Sequence, residues 1–314
     1  MSDVINALSE DSLNLLGNLM EKKKLVLFVG SGISIDSKMP SWDNLSLEFL
    51  ALCRKIFEVY KKSFNEEIIH NINIIIEKIS NSENQRKPDI LDAISVFRNF
   101  LDDIDHDRVN EIFKEWFIGL FGGSSFNENH EYIVSTNYPI ILTTNYDRLL
   151  TEAAGKLGYM DLFKNSFGLT TYKDAARCIY EEESFILNIH GKAIEVQYDN
   201  IVLTKKDYVK IMRDLPSLRM ILETIFIKYP ILFVGYGMSD PHLEELIEEI
   251  SFSFNYSENN VRKFFIVIRE DKVDFIRKNI KMIQGVTLLT VDNKYEQSKR
   301  LLKFLSEQFP RSYN

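Results

Sequence analysis

Cysteine is nearly absent from the chain: Cys53 and Cys178 are the only two in 314 residues. No CxxC pair exists, so a four-cysteine zinc site is excluded by count, and each cysteine reads as a small core residue. Apolar runs are short, none approaching the ~20 residues that a membrane-spanning helix needs. The opening "MSDVINALSEDSLNLL" lacks a basic region and a cleavage pattern, so a signal peptide is not expected. The expectation is a soluble, cytoplasmic protein. Positive charge is also short, with 38 Lys and Arg against 46 Asp and Glu and a formal net charge of −8. No basic stripe with interleaved aromatics stands out, so direct binding of nucleic acid is not expected. Glycine is scarce as well, at 13 residues, which makes its placement informative.

What the sequence does have is a set of short, nearly continuous apolar runs. "KLVLFVG" (24–30), "IILTTN" (140–145), "SFILNIHG" (184–191), "YPILFVGYG" (229–237), "KFFIVIRE" (263–270) and "VTLLTVD" (286–292) read as strands buried on both faces. Helical patterns separate most of them, for example "DRLLTEAAGKL" and "DPHLEELIEEI". This alternation predicts an α/β fold with a Rossmann-like, doubly wound, mainly parallel sheet. "YEQSKRLLKFLSEQF" reads as a closing amphipathic helix. From Ser41 to His130 four helical patterns follow one another with a polar linker, "NSENQRKPD", among them. The chain is therefore expected to be a single domain over 1–314, with a core of 1–50 and 130–314 and a helical insertion at 51–129.

The tripeptide Thr-Asn-Tyr occurs twice within "STNYPIILTTNYDRLL". The first copy, Thr136-Asn137-Tyr138, precedes Pro139, which disfavours a helical Tyr138. It reads as a helix end at Tyr138 with Asn137 as its C-terminal cap. The second copy, Thr144-Asn145-Tyr146, lies where a strand ends and a helix begins. Ligands of open α/β sheets bind outside such carboxyl ends, so Asn145 is the candidate site residue.

Five glycines, Gly30, Gly32, Gly191, Gly235 and Gly237, fall at the carboxyl ends of the predicted strands. That placement is what backbone approaching a ligand requires. The N–H groups of "GSGIS" (30–34) are placed to cradle a diphosphate at a helix start. The dinucleotide fingerprint is not met, because its third glycine would fall on Ile35. Asp147 stands two residues past Asn145, either at a ligand or as a helix N-cap. His190, in "NIHG", ends another strand beside a glycine. His70, His106, His130 and His242 read as structural. Asp240 with Pro241 reads as a helix start, and Thr204 with Asp207 as a capping box.

Taken in order, GSGIS, TTNYD, NIHG and GYGMSD resemble the sirtuin superfamily, specifically the sirtuin-like branch of bacterial anti-phage NADases. The resemblance implies a Rossmann-like NAD⁺-binding core in which Gly30, Ser31, Gly32 and Ile33 form the cofactor loop. It assigns Thr144 and Asp147 to cofactor binding, with Asn145 and Asp147 at the nicotinamide ribose and carboxamide. His190 becomes the catalytic histidine beside Asn145, and Gly235 and Tyr236 lie by the phosphates or adenosine. Protein-deacylating sirtuins carry GAGIS, TQNID and a four-cysteine zinc module that two cysteines cannot build. The implied activity is hydrolysis of NAD⁺, without metal, as the NAD-depleting effector of an abortive-infection system. Expected partners are further copies of the chain, and a HerA-type ATPase or another defence sensor. The alternatives are a non-catalytic NAD or ADP-ribose sensor, and a NAD-dependent deacylase or ADP-ribosyl transferase.

The chemistry agrees. Nicotinamide leaves a cationic pyridinium as a neutral molecule, so no general acid is needed. What needs help is an oxocarbenium-like ribose and the water that attacks it. An amide oxygen can orient that water, and an imidazole can take a proton near neutral pH.

Overall fold

The computed structural model describes residues 10–63, 66, 69, 70, 73, 74, 106–122, 125–193, 201–237, 241–255, 263–279, 283–291 and 296–312. Most of the interior of the expected insertion, including the 81–89 linker, lies outside these residues. So does Asp240.

Seven strands form one sheet: β1 (Val26–Val29), β2 (Ile140–Thr143), β3 (Ser166–Phe167), β4 (Phe185–Asn188), β5 (Ile231–Val234), β6 (Phe264–Arg269) and β7 (Val286–Val291). Their order is β3-β4-β2-β1-β5-β6-β7, and every pairing is parallel. The expected α/β, Rossmann-like sheet is what the chain forms. Six strands fall inside the apolar runs. The seventh, β3, is a two-residue edge strand that no apolar run announces.

Twelve described helices surround it. In chain order they are α1 (Glu10–Glu21), α2 (Trp42–Tyr60), α3 (His106–Phe121), α4 (Glu128–Ser135), α5 (Leu149–Lys156), α6 (Met160–Lys164), α7 (Asp174–Glu181), α8 (Lys205–Asp214), α9 (Pro216–Lys228), α10 (Pro241–Ser253), α11 (Val273–Asn279) and α12 (Glu296–Gln308). None is long and apolar enough to cross a membrane. Successive strand side chains alternate between the faces, and both faces are apolar. Phe28, Leu142, Leu187 and Phe233 pack under α7 to α11. Leu27, Ile141, Ile186 and Leu232 pack under α1, α4, α5, α6 and α12. The helix α2 starts before residue 51 and runs through it. With α3 it forms a third cluster, built on Phe49, Phe113 and Phe117, which also takes in Tyr146, Leu149, Ala193 and Leu203. The helical region thus packs on loops that leave the carboxyl ends of β2 and β4.

The first Thr-Asn-Tyr copy is not a capped helix end of the expected kind. Helix α4 stops at Ser135, and Thr136 is its extended C-cap. Thr136 pairs with Pro310 in an antiparallel bridge. The Asn137 N–H donates to Phe309 O at 2.9 Å, and the Arg311 N–H to Ser135 O at 2.7 Å. The backbone of this copy is a docking seam for the C-terminal tail. The Thr204–Asp207 capping box forms as read: Asp207 Oδ2 accepts the Thr204 N–H at 2.8 Å, and Thr204 Oγ1 accepts the Asp207 N–H at 3.4 Å.

Candidate functional site

The loop that leaves β1 packs Ile33 into the cluster on one face, while β5 is followed by α10, which packs on the other. The loops diverge there, as at the switch point of a doubly wound sheet. A cavity of about 430 Å³ opens in that crevice, lined by Gly32, Ile33, Asn129, Gly235, Tyr236 and Arg269 among others. Its volume lies within the range of small-molecule sites.

The glycine loop is built differently from the expectation. Residues 31–33 and 35–37 are two 3₁₀ turns, not the start of an α-helix. The Gly30 N–H donates to Val234 O and the Gly32 N–H to Gly235 O, both at 3.0 Å, while the Ile33 N–H returns to Gly30 O. Those three donors are committed to protein carbonyls, so they are not the free N–H groups that the expected diphosphate cradle would use. The glycines have a nearer reason. A Cβ on Gly30 would lie 2.3 Å from Gly235 O, and one on Gly32 2.9 Å from the same atom. Gly235 has φ +66° and closes the contact from the other side. Backbone here approaches backbone. Gly30→Ala is therefore expected to lower stability by about 1–3 kcal/mol or more, the usual penalty of overpacking. A thermal melt that matches the parent would contradict this packing.

Ser31 and Gly32 are half-buried, Ile33 is buried, and Thr144 is half-buried where β2 ends. The Tyr236 ring packs edge-on against Phe28 at 4.9 Å, so it supports the cavity floor from the core.

Asn145 is buried and bonded at four of its five polar positions. Its N–H donates to Thr143 Oγ1 at 3.0 Å, and its carbonyl accepts from Asn188 Nδ2 at 2.8 Å. Nδ2 donates to Gly30 O and to Ser34 Oγ, each at 3.3 Å. Only Oδ1 has no protein partner. Leaving a buried amide oxygen unpaired is costly, which marks it as a position for a ligand or a water.

His190 lies two residues beyond Asn188, the register partner of Thr143. Asn145 lies two beyond Thr143, so the two residues end neighbouring strands at the same level. The imidazole is buried. Tyr208 meets it edge-on at 5.0 Å and Tyr146 lies 6.2 Å away, which fixes the plane of the ring. The Tyr146 hydroxyl donates to Val202 O, and the Val202 N–H donates to His190 O at 3.1 Å. Among the described residues no group of three or more His, Cys, Asp or Glu is arranged to hold a metal ion.

Asp147 is buried, and burial pushes its carboxyl up to about 6 from 3.8, against hydrogen bonds from Ser34 and the Leu149 N–H that favour the carboxylate. The Leu149 contact, 3.1 Å long, is cap-like, although Arg148 is the formal N-cap. A raised carboxyl means that the folded state holds the proton more tightly than the unfolded chain does. This contribution is fully present below about pH 4 and is lost as pH rises through about 6. Asp147→Asn is expected to melt higher than the parent at pH 7.5, by up to about 3 kcal/mol at 1.36 kcal/mol per unit. The gain should vanish near pH 4. Comparing the two proteins cancels shared titrations, such as that of His130, which burial holds down at about 4. A constant gap from pH 4 to 7.5 would contradict the assignment.

Two residues at this site escaped the sequence reading. Ser34 is fully buried and bonds Asn145. His130 is buried too, with Nε2 3.1 Å from Ser34 Oγ. GSGIS contains Ser34 but gives no sign of its direction. In "NENH" the histidine looks like any residue in a first helical turn.

The comparisons with known proteins meet this geometry. Residues 139–289 match the family model described as SIR2-like domain, a span holding Asn145, Asp147, His190, Gly235 and Tyr236. Over 275 residues the chain is 26% identical to Defense-associated sirtuin 2 of Bacillus subtilis, covering 86% of this chain and 22% of that protein. The chain thus spans about a fifth of the length of the curated relative it matches. Over residues 139–289 the chain is thus similar to SIR2-like domains, and over most of its length to a defence-associated sirtuin.

Proposed function

We propose that the protein is an NAD⁺ glycohydrolase, cleaving the nicotinamide–ribose bond to give nicotinamide and ADP-ribose. The observation that carries the reading is the Asn145 carboxamide, held by its nitrogen with its oxygen left for something other than protein. The C1′–N1 bond breaks and its electron pair leaves with neutral nicotinamide. The Asn145 oxygen orients a water whose oxygen bonds C1′, and His190 accepts the proton, directly or through a ribose hydroxyl. Asp147, ionised above about pH 6, favours the cationic nicotinamide of the bound substrate. The crevice cavity beside Gly235 and Tyr236 takes the adenosine end.

The similarity to a defence-associated sirtuin supports a role as the NAD-depleting effector of an anti-phage system. Such an enzyme has to stay silent until it is triggered. Control then falls to self-association, a HerA-type ATPase or another sensor protein acting through the helical region that packs on the site loops. The test is nicotinamide release from NAD⁺ by the purified chain beside His190→Ala and Asn145→Ala. Release by the parent that both variants lose supports the site, and equal release by all three sinks it.

A further inference from the structure

Helix α4 touches the cofactor loop through three contacts from its first residues. Asn127 Nδ2 donates to Ile33 O and to Ser37 Oγ, both at 3.0 Å. The third contact is the His130 ring on Ser34 Oγ. On its other side the ring is held by Asn127, whose N–H lies 3.1 Å from Nδ1. Both His130 and Ser34 are completely shielded from solvent. Ser34 Oγ in turn is one of two acceptors for Asn145 Nδ2.

We propose that His130 is a positioning residue, which fixes the Ser34 hydroxyl and through it the orientation of the Asn145 carboxamide. An amide side chain can present either its oxygen or its nitrogen in one direction, and only its partners choose. Here the chosen orientation turns Nδ2 toward Gly30 O and Ser34 Oγ and leaves Oδ1 for the ligand side. A serine hydroxyl is a free rotor, so by itself it is a poor anchor. The imidazole takes one of its hydrogen-bonding directions, and the Asn145 amide then meets an oxygen of fixed geometry. The role does not depend on the tautomer. With the proton on Nε2, Ser34 accepts from the ring and turns its own proton toward Asp147, which it faces. With the proton on Nδ1, the ring donates to Asn127 Oδ1 instead, 3.0 Å away, and Ser34 donates to Nε2. In both cases its oxygen accepts from Asn145.

The kinetic consequence rests on the NAD⁺ hydrolase reading. His130, Ser34 and Asn145 are not among the residues that line the crevice cavity, so substrate affinity should change little. What is lost is alignment at the reacting centre, where a misplacement of about 1 Å can cost roughly 10²-fold.

Three variants and a structural readout test the proposal. His130→Asn offers an amide near Nδ1 but nothing at Nε2. His130→Gln places an amide group where Nε2 stands. Ser34→Ala removes the relay. The expected result is that kcat for nicotinamide release falls by roughly 10–10²-fold in His130→Asn with KM within about twofold, and that His130→Gln recovers most of it. Adding His130→Asn to Ser34→Ala should cost nothing more, because both changes break one path. Crystal structures should show the Asn145 carboxamide turned in His130→Asn and unmoved in His130→Gln. Unchanged kcat, an effect confined to KM, losses that multiply in the double variant, or a carboxamide unmoved in His130→Asn would each overturn the proposal. If the parent leaves NAD⁺ intact even with a candidate activating partner added, the hydrolase reading fails. The carboxamide orientation in the two structures then decides the positioning claim separately.

Discussion

Asn145→Ala is expected to reduce nicotinamide release from NAD⁺ by roughly 10²–10⁴-fold, the range in which a positioned polar catalyst acts. Stability should change far less. The partners of Nδ2 keep other bonds, Gly30 O to the Ile33 N–H and Ser34 to His130. Losing two long hydrogen bonds then costs about 1–2 kcal/mol. The orphaned Oδ1 disappears with the side chain, which offsets part of that cost. Activity and stability therefore separate, as they should where a buried polar atom is kept for a ligand. A variant that unfolds, or one that keeps full activity, would contradict this account of the carboxamide.

Arg311→Ala is expected to have the largest effect on stability, about 3–5 kcal/mol. The guanidinium is 3% exposed and reaches Asp161 at 3.1 Å. It also donates to Val134 O at 3.1 Å and to Thr136 O and Tyr138 O. These carbonyls belong to the end of α4 and the entry to β2. One planar, forked cation thus ties the C-terminal tail to the segment that leads into the site strand. Alanine would leave the three carbonyls and a partly buried carboxylate without that donor. Arg311→Lys should recover only a minor part, because an ammonium cannot reproduce the fork. Denaturant unfolding reads the difference directly. A loss below about 1 kcal/mol in Arg311→Ala would show that the tail is a passive appendage.

These two residues also mark how far the sequence could be read. The strands were legible because a sheet covered on both faces must be apolar throughout, as in "VLFV" and "ILFV". β3 was not, since Ser166–Phe167 is too short to carry a pattern. Asn145 and His190 could be placed at strand ends by counting from those runs. The tail seam was invisible for a different reason: Asn137 has its partner at Phe309, and local rules supplied a helix cap instead. The glycine loop failed in a third way. Sequence shows that Gly30 and Gly32 admit close approach, but not that the approaching group is Gly235 O. His130 was set aside because helix position alone cannot distinguish a surface histidine from one bonded to Ser34.

The central claim is that water, and no second substrate, ends the reaction on NAD⁺. The direct measurement is product stoichiometry: purified protein with NAD⁺ alone, with nicotinamide and ADP-ribose quantified together, and the same mixture with an acylated peptide added. One nicotinamide and one ADP-ribose per NAD⁺ consumed are expected, unchanged by the peptide. NAD⁺ left intact even with a candidate activating partner added, or consumed only when the peptide is present with the acyl group carried onto ADP-ribose, would contradict the claim.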